Sequence, residues 1–224
     1  MCGRFTHRLP WSEIHRLYRL TLDADRARNT QPRYNIAPTQ DVLFVTAGEN
    51  GNQILREGRW WLVPWWAKEV PKAPMFNARS ESAAEKPAFR DAFQSKRCLI
   101  PADGFYEWTV GEDGGKDPWF IHLNDRPFSF AGLWARNDKL GITSCTILTA
   151  AAQEPMNRLH DRQPVILDPA AYDAWLDPST SAANAKSLLA RNLDGGLEFH
   201  RVDRQVNIYK FEGDAAAVAP LNPL

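Results

Sequence analysis

The chain has 224 residues, of which 44% are hydrophobic and 24% charged, so it can bury a sizeable core and has the composition of a globular protein. Lys plus Arg and Asp plus Glu each total 27, and this balance excludes a global electrostatic attraction to nucleic acid, so that a polyanion would have to bind in a local groove. No apolar run reaches the roughly 18 residues that a membrane-spanning helix needs.

The amino-terminal half is predicted to contain a helix, two strands and two loops before a second helical region. Trp11, Ile14, Leu17 and Leu20 recur at helical spacing and predict a helix over residues 11–20. The elements that follow are an ordered loop over 29–40, strands over 42–45 and 53–63, an aromatic- and proline-rich loop over 64–74, and two short helices within 80–95.

The carboxyl-terminal half is dominated by predicted strands. They cover residues 97–101, 105–110, 119–123, 128–136, 143–149, 164–167 and 197–202, with a hairpin turn at 111–115 and helices over 168–176 and 179–191. We therefore expect an α+β fold in one domain over residues 1–224, with a mixed, largely antiparallel, barrel-like β core and short flanking helices.

Three cysteines, Cys2, Cys98 and Cys145, give an odd count without a close pair. This argues against a disulfide framework and for a reducing compartment. Cys98 and Cys145 lie in apolar strands and are interpreted as buried packing residues. Neither CxxC nor HExxH occurs, so we expect no metal site.

Cys2 follows the initiator methionine directly. Removal of Met1 would leave a thiol and a free α-amine on adjacent carbons, with ordinary pKa values of about 8.5 and about 7.7–8.0. The amine can form an imine with an aldehyde, and the thiol can then close a thiazolidine ring. The same pair can instead act as nucleophile and base on an amide. Alternatively, position 2 is an ordinary residue beside a retained methionine.

Six short segments occur in a distinctive order along the chain. They are residues 1–5 (MCGRF), 33–38 (RYNIAP), 63–65 (VPW), 76–81 (FNARSE), 102–108 (ADGFYEW) and 159–164 (LHDRQP). With Cys at position 2, this order resembles the SRAP family, the abasic-site processing proteins, from residue 1 to about residue 210.

The resemblance implies a substrate and a reaction. Such a protein binds single-stranded DNA that contains an abasic site, and Cys2 attacks the open-chain aldehyde to give a reversible thiazolidine crosslink that shields the lesion. It also implies DNA-lyase activity and a peptidase activity on the protein's own amino terminus as further options. We expect no cofactor, no membrane partner, a monomer, and a bacterial cytoplasmic location, at the nucleoid when DNA is bound.

Four residues carry the implied catalysis: Cys2, Asn77, Glu107 and His160. His160 can protonate the sugar oxygen, Glu107 can act as a proton shuttle with a raised pKa among aromatic neighbours, and Asn77 can orient the amine and a sugar hydroxyl. Taken without the resemblance, Glu107 could be an outward strand residue, His160 part of an ion-paired turn, and Asn77 a helix cap.

A second set of residues is expected to bind DNA. Arg4, Arg79 and Arg162 flank the catalytic candidates and suit phosphate oxygens. Trp65 and Trp66 could stack on a base, or could instead form a hydrophobic plug under their loop. The resemblance places Thr149, at the end of a strand, near the DNA as well.

Three other functions remain open from the sequence. Class II glutamine amidotransferases also begin Met-Cys-Gly, so an amino-terminal-nucleophile amidohydrolase is one. A thiol peptidase using Cys2 with His160 is another. The third is a single-strand-binding module without catalysis, which would tolerate Cys2→Ala.

Overall fold

The computed structural model describes residues 2–20, 30–48, 51–124 and 126–221; Met1 and the first residue of the predicted 29–40 loop lie outside them. The helices are α1 Trp11–Tyr18, α2 Arg90–Ser95, α3 Tyr172–Leu176 and α4 Ala182–Leu188. The strands are β1 Phe5–His7, β2 Arg33–Ile36, β3 Asp41–Ala47, β4 Gln53–Trp60, β5 Asn77–Arg79, β6 Arg97–Ala102, β7 Gly104–Val110, β8 Lys116–His122, β9 Phe128–Asn137, β10 Ile142–Ala151, β11 Arg162–Pro164 and β12 Glu198–Arg201.

The strands form two sheets. The first is antiparallel, in the order β12-β8-β7-β1-β2. The second runs β11-β10-β4-β3-β6-β9, with β5 also paired to β10, and is mixed because β4 and β5 lie parallel to β10. Since β9 pairs with both β6 and β10, the second sheet closes on itself, which confirms the predicted barrel-like, largely antiparallel α+β fold.

One hydrophobic cluster joins the two sheets. It contains Phe5 and Phe105 from the first sheet and Phe130 and Ile147 from the second, together with Cys2. A second cluster packs α1, α2 and α3 against the other face of the closed sheet, with Ile14, Phe93 and Trp175 fully buried. The residues just before β1 therefore begin inside the core rather than at the surface.

Most of the predicted elements are present, with shifted ends, but three predictions were wrong. Residues 33–36 form β2 rather than loop, because the flanking prolines favour extended backbone and leave four residues free to pair with β1. Residues 81–89 form turns, and only α2 is helical, because Pro87 cannot continue a helix. The strand expected over 164–167 begins earlier, as β11, and ends at Pro164.

None of the helices in the described part of the chain has both the length and the hydropathy that a membrane crossing requires.

Candidate active site

Cys2 lies just before β1 and is completely buried. Its Sγ–H donates a long hydrogen bond of 3.8 Å to the carbonyl oxygen of Arg4. Burial raises the pKa of the Cys2 thiol well above its ordinary value, and the negative charge of Glu107 raises it further. The resting thiol is therefore protonated at neutral pH, with a carboxyl group close enough to influence it.

Asn77 begins β5 and holds the backbone of Cys2. Its Nδ2 donates to the Cys2 carbonyl oxygen at 2.8 Å. Its Oδ1 is buried and makes no hydrogen bond within the described part of the chain. Asn77 is thus a strand residue rather than a helix cap, and it keeps one acceptor available beside Cys2.

Glu107 lies on β7, only 3% exposed. Side chains two apart on a strand share a face, so Glu107 points to the same side as Phe105, into the cluster between the sheets. Burial raises the pKa of the Glu107 carboxyl, and the positive charge of His160 acts in the opposite direction. The alternative of an outward-facing strand residue is wrong.

His160 follows a 3-10 turn at Met156–Arg158 and is part-buried. Its Nδ1 accepts a hydrogen bond from the backbone N–H of Arg162 at 2.9 Å and lies 2.8 Å from Asp161 Oδ1. A backbone N–H can only donate, so these two contacts require different protonation states of Nδ1. The hydrogen bond from the Arg162 N–H corresponds to the neutral tautomer with its proton on Nε2.

One hydrogen bond and two electrostatic interactions connect these four residues. Asn77 bonds Cys2, Glu107 acts electrostatically on the Cys2 thiol, and His160 acts on Glu107. They come from different segments: the residues before β1, the start of β5, β7, and the turn before β11. Among the described residues, no group of three or more His, Cys, Asp or Glu side chains could hold a metal ion.

The three arginines expected at the DNA are not equivalent. Arg4 Nη1 donates to Asn35 Oδ1 at 2.8 Å and to the Val206 carbonyl at 2.7 Å. Arg162 donates to the Glu81 carboxylate through both Nη atoms, at 2.6 and 3.0 Å, and the Arg162 side chain is only 14% exposed. Arg79 is exposed, and its guanidinium makes no hydrogen bond or ion pair with another described residue.

The two tryptophans lie on the surface. Trp65 and Trp66 are 62% and 48% exposed, in the loop between β4 and β5. Asn137 Nδ2 anchors this loop through the Pro64 and Ala67 carbonyls, at 2.8 and 2.9 Å, and Trp65 Nε1 donates to Asp91 Oδ2 at 3.1 Å. The plug interpretation therefore fails: both indoles are largely exposed, and that of Trp65 is held in position by its hydrogen bond.

Thr149 has no exposed surface. It lies on β10, where its carbonyl oxygen accepts hydrogen bonds from Ser80 N–H at 2.9 Å and from Arg162 Nη2 at 2.7 Å. Because its side chain is completely buried, we leave Thr149 out of the proposed DNA surface.

Comparison with known proteins identifies the family. The model of the family described as "SOS response associated peptidase (SRAP)" matches residues 1–209. The chain belongs to the SRAP family. This SRAP chain is 39% identical over 214 residues to abasic site processing protein YoaM of Bacillus subtilis (strain 168), covering 92% of this chain and 93% of that protein. It is 31% identical over 221 residues to abasic site processing protein YedK of Escherichia coli (strain K12), covering 95% and 97%.

A solved structure shares the fold of this chain. The crystal structure of a protein from Bacteroides thetaiotaomicron has a TM-score of 0.84 and covers 98% of this chain and 100% of its own. At 23% identity this likeness concerns the fold alone.

Sequence reasoning missed two residues that organise this SRAP site. Asn35 holds the Arg4 guanidinium, and Glu81 holds that of Arg162. Both lie inside segments that carry the family resemblance, residues 33–38 and 76–81, so the signal was present in the sequence. Their role was not visible there, because it depends on contacts with residues far along the chain.

Proposed function

We propose that this SRAP protein recognises abasic sites in single-stranded DNA and binds them covalently through Cys2. The observation that carries the proposal is the buried Glu107 carboxyl beside the Cys2 thiol, in a site where Asn77 fixes the Cys2 backbone. The names of its relatives, which describe abasic site processing, agree with an abasic-site substrate.

The proposed reaction needs both nucleophiles of an amino-terminal cysteine. Once Met1 is removed, the Cys2 amine adds to the C1′ aldehyde of the open sugar, and loss of water gives an imine. The thiol then adds to the imine carbon, while its proton passes to the nitrogen. The net change is one aldehyde, one amine and one thiol converted into one thiazolidine and one water, without any oxidant or cofactor.

Glu107 is suited to moving the protons in these steps. A carboxyl with a raised pKa can take a proton from the amine or thiol and return it when the ring opens. Its burial also excludes bulk water from the imine. The same group would serve both directions, as microscopic reversibility requires.

His160 and Asn77 are proposed to act on the sugar. The abasic sugar is mostly a closed hemiacetal, so a hydrogen-bond donor near its ring oxygen favours the aldehyde. The His160 tautomer that accepts from the Arg162 N–H carries its proton on Nε2, which can be that donor. The buried Oδ1 of Asn77 can accept a hydrogen bond from the Cys2 amine or a sugar hydroxyl. A buried acceptor without a partner costs about 1–3 kcal/mol, so such a donor would be stabilised there.

DNA is proposed to be held by Arg79 and the two exposed indoles. Arg79 has its guanidinium available for a phosphate, and stacking on an indole contributes about 1–3 kcal/mol per base. Arg4 and Arg162 are proposed to position the residues around them, because their guanidinium groups are already engaged.

The geometry favours this function over a thiol peptidase. A peptidase cysteine is activated by a lowered pKa, usually through a neighbouring cation. Here burial and a carboxylate both raise the pKa of the Cys2 thiol. That arrangement suits a thiol that adds to an imine and gives up its proton locally.

The proposal is tested by crosslinking to a single-stranded oligonucleotide with one abasic site. Wild-type protein should give an adduct stable on a denaturing gel, and Cys2→Ala should give none. Cys145→Ala is the matched control, since this thiol is equally buried and should leave crosslinking intact. A stable adduct from Cys2→Ala, or glutaminase activity without crosslinking by the wild type, would overturn the proposal.

A further inference from the structure

A second surface feature adjoins Trp65. It is a groove of about 720 Å³ between the Trp65 loop, α2, β4 and the hairpin that joins β9 to β10. The side chains that matter here are Trp65, Arg56, Lys96, Trp134 and Arg136.

The charge of the groove is positive once local ion pairs are taken into account. Arg136 Nε lies 3.0 Å from Asp138, and Asp91 lies 3.3 Å from Arg90 Nε. Arg56 and Lys96 have no acidic partner within the described part of the chain. Arg56 Nε donates to Thr46 Oγ1 at 3.0 Å, which leaves the Nη atoms at the far end of the guanidinium for a ligand.

Trp134 holds these two cations close together. Arg56 Cζ and Lys96 Nζ each lie 4.7 Å from the centroid of the Trp134 ring. The two charges are therefore less than ~10 Å apart and are both fixed by cation–π contact. One phosphodiester backbone passing along the groove can meet both.

The groove lies a short distance from the reacting residues. Asn77 pairs with Ile147 on β10, and Thr143 of the same strand lines the groove. Four residues of strand correspond to about 13 Å. Trp65 belongs both to the groove and to the surface proposed for DNA, so a strand can pass from one to the other.

We infer that this groove binds the nucleotides flanking the lesion on one side of the abasic site. Cations for the backbone combined with an exposed, anchored indole for a base are the combination that binds single strands without regard to sequence. The inference rests on the proposed function, because it extends the same DNA path. It adds Arg56 and Lys96 as binding residues that take no part in the chemistry.

The experiment compares oligonucleotides that extend from the abasic site in only one direction. One carries about six nucleotides on the 5′ side, one carries about six on the 3′ side, and a short one carries two on each side. Arg56→Gln/Lys96→Gln is measured against wild type for affinity and for crosslinking. Arg16→Gln, an exposed arginine on α1, is the control for loss of charge, and Arg56→Lys/Lys96→Arg keeps both cations.

We expect the double variant to bind one of the two extended strands roughly 10- to 30-fold more weakly near 0.1 M salt, with a log–log salt slope flatter by about 1.4. Affinity for the short strand and for the other extension, and the crosslinking rate on the short strand, should stay at wild-type values. The charge-preserving variant should keep the wild-type slope. Thermal unfolding checks that all variants are folded.

Unchanged affinity for both extensions would overturn the inference, as would an equal loss on all three strands. Undamaged strands of the same lengths separate this test from the proposed function. If wild type fails to crosslink but the double variant still loses affinity for one extension, the groove stands and the covalent mechanism falls.

Discussion

At the scale of single residues, Glu107 shows how burial changes what a residue type can do. The segment Phe-Tyr-Glu-Trp allowed Glu107 to face solvent, and only the position of β7 decides that it faces Cys2. A carboxyl group in this setting is destabilising for the fold and useful for proton transfer. Two predictions follow from that conflict.

The first concerns kinetics. Glu107→Gln keeps the shape of the side chain but cannot move a proton, so crosslink formation and reversal should both slow, by about 10²-fold for one general acid–base group. Affinity for the single strand should hardly change. Reversal is followed by adding excess abasic oligonucleotide to a preformed crosslink and measuring transfer of the protein. Transfer at the wild-type rate would exclude Glu107 from the chemistry.

The second concerns stability against pH. Burial raises the pKa of Glu107 in the folded state, so the folded protein holds this proton more tightly than the unfolded chain. Below its unfolded pKa, about 4.3, Glu107 is protonated in both states and does not lower the free energy of unfolding. As pH rises from there through the folded pKa, Glu107 lowers the free energy of unfolding. Glu107→Gln should gain free energy of unfolding relative to wild type between pH about 4 and about 8.

Urea unfolding at those two pH values checks this, with the exposed turn residue Glu112→Gln as the control for loss of one carboxylate. If the difference in free energy of unfolding between Glu107→Gln and wild type does not change with pH, burial of the Glu107 carboxyl does not destabilise the fold.

The arginines give a third prediction at this scale. Arg79→Gln should flatten the log–log salt dependence of single-strand binding by about 0.7 and change the free energy of unfolding by less than ~0.5 kcal/mol. Arg162→Gln should instead lower the free energy of unfolding by about 1–3 kcal/mol, since it removes the hydrogen bonds from the guanidinium to the Glu81 carboxylate and the Thr149 carbonyl oxygen. Salt titrations and urea unfolding separate the two; an equal slope change in both variants would place Arg162 on the DNA.

At the scale of elements, the carboxyl-terminal segment, residues 202–221, is tied to the strands that carry the amino terminus. Asn35 on β2 accepts from Arg4 and donates to the carbonyl oxygens of Ile208 and Phe211, at 3.2 and 2.6 Å. The backbone carbonyl oxygen of Arg4 in turn accepts the hydrogen bond from the Cys2 thiol. The contact chain links the segment to the position of Cys2.

Asn35→Ala should therefore lower the free energy of unfolding by about 1–3 kcal/mol, because it removes the side-chain hydrogen bonds to Arg4, Ile208 and Phe211. It should also make residues 202–221 more sensitive to limited proteolysis and slow crosslinking. Asn184→Ala, on the exposed face of α4, is the control. Unchanged proteolysis of the segment would show that Asn35 does not hold it.

Elements also differ in how far the sequence could predict them. β9 and β10 are long and apolar, and their predicted positions are confirmed within a few residues. β1 and β5 have three residues each, too few to show an alternating pattern, so neither was predicted. Yet these two short strands position Cys2 and Asn77. The sequence pattern is therefore least informative about the strands that build the site.

At the scale of the whole molecule, the site depends on how two sheets meet. The closed second sheet supplies Asn77 and the segment before β11, and the first sheet supplies Glu107 and the residues after Cys2. The six sequence segments could nominate the four catalytic candidates through the family resemblance. They could not show that Arg4 and Arg162 are already engaged or that Thr149 is buried, because those facts depend on contacts between distant segments.

The central claim is that the amine and the thiol of Cys2 both bond to the abasic sugar. Intact mass spectrometry of the crosslinked protein, followed by mapping of the modified peptide, tests it most directly. The account predicts a mass equal to the protein without Met1 plus the oligonucleotide minus one water, with the modification on Cys2 and no requirement for a reducing agent to preserve it. An adduct that retains Met1, or one that maps to a residue other than Cys2, would contradict it.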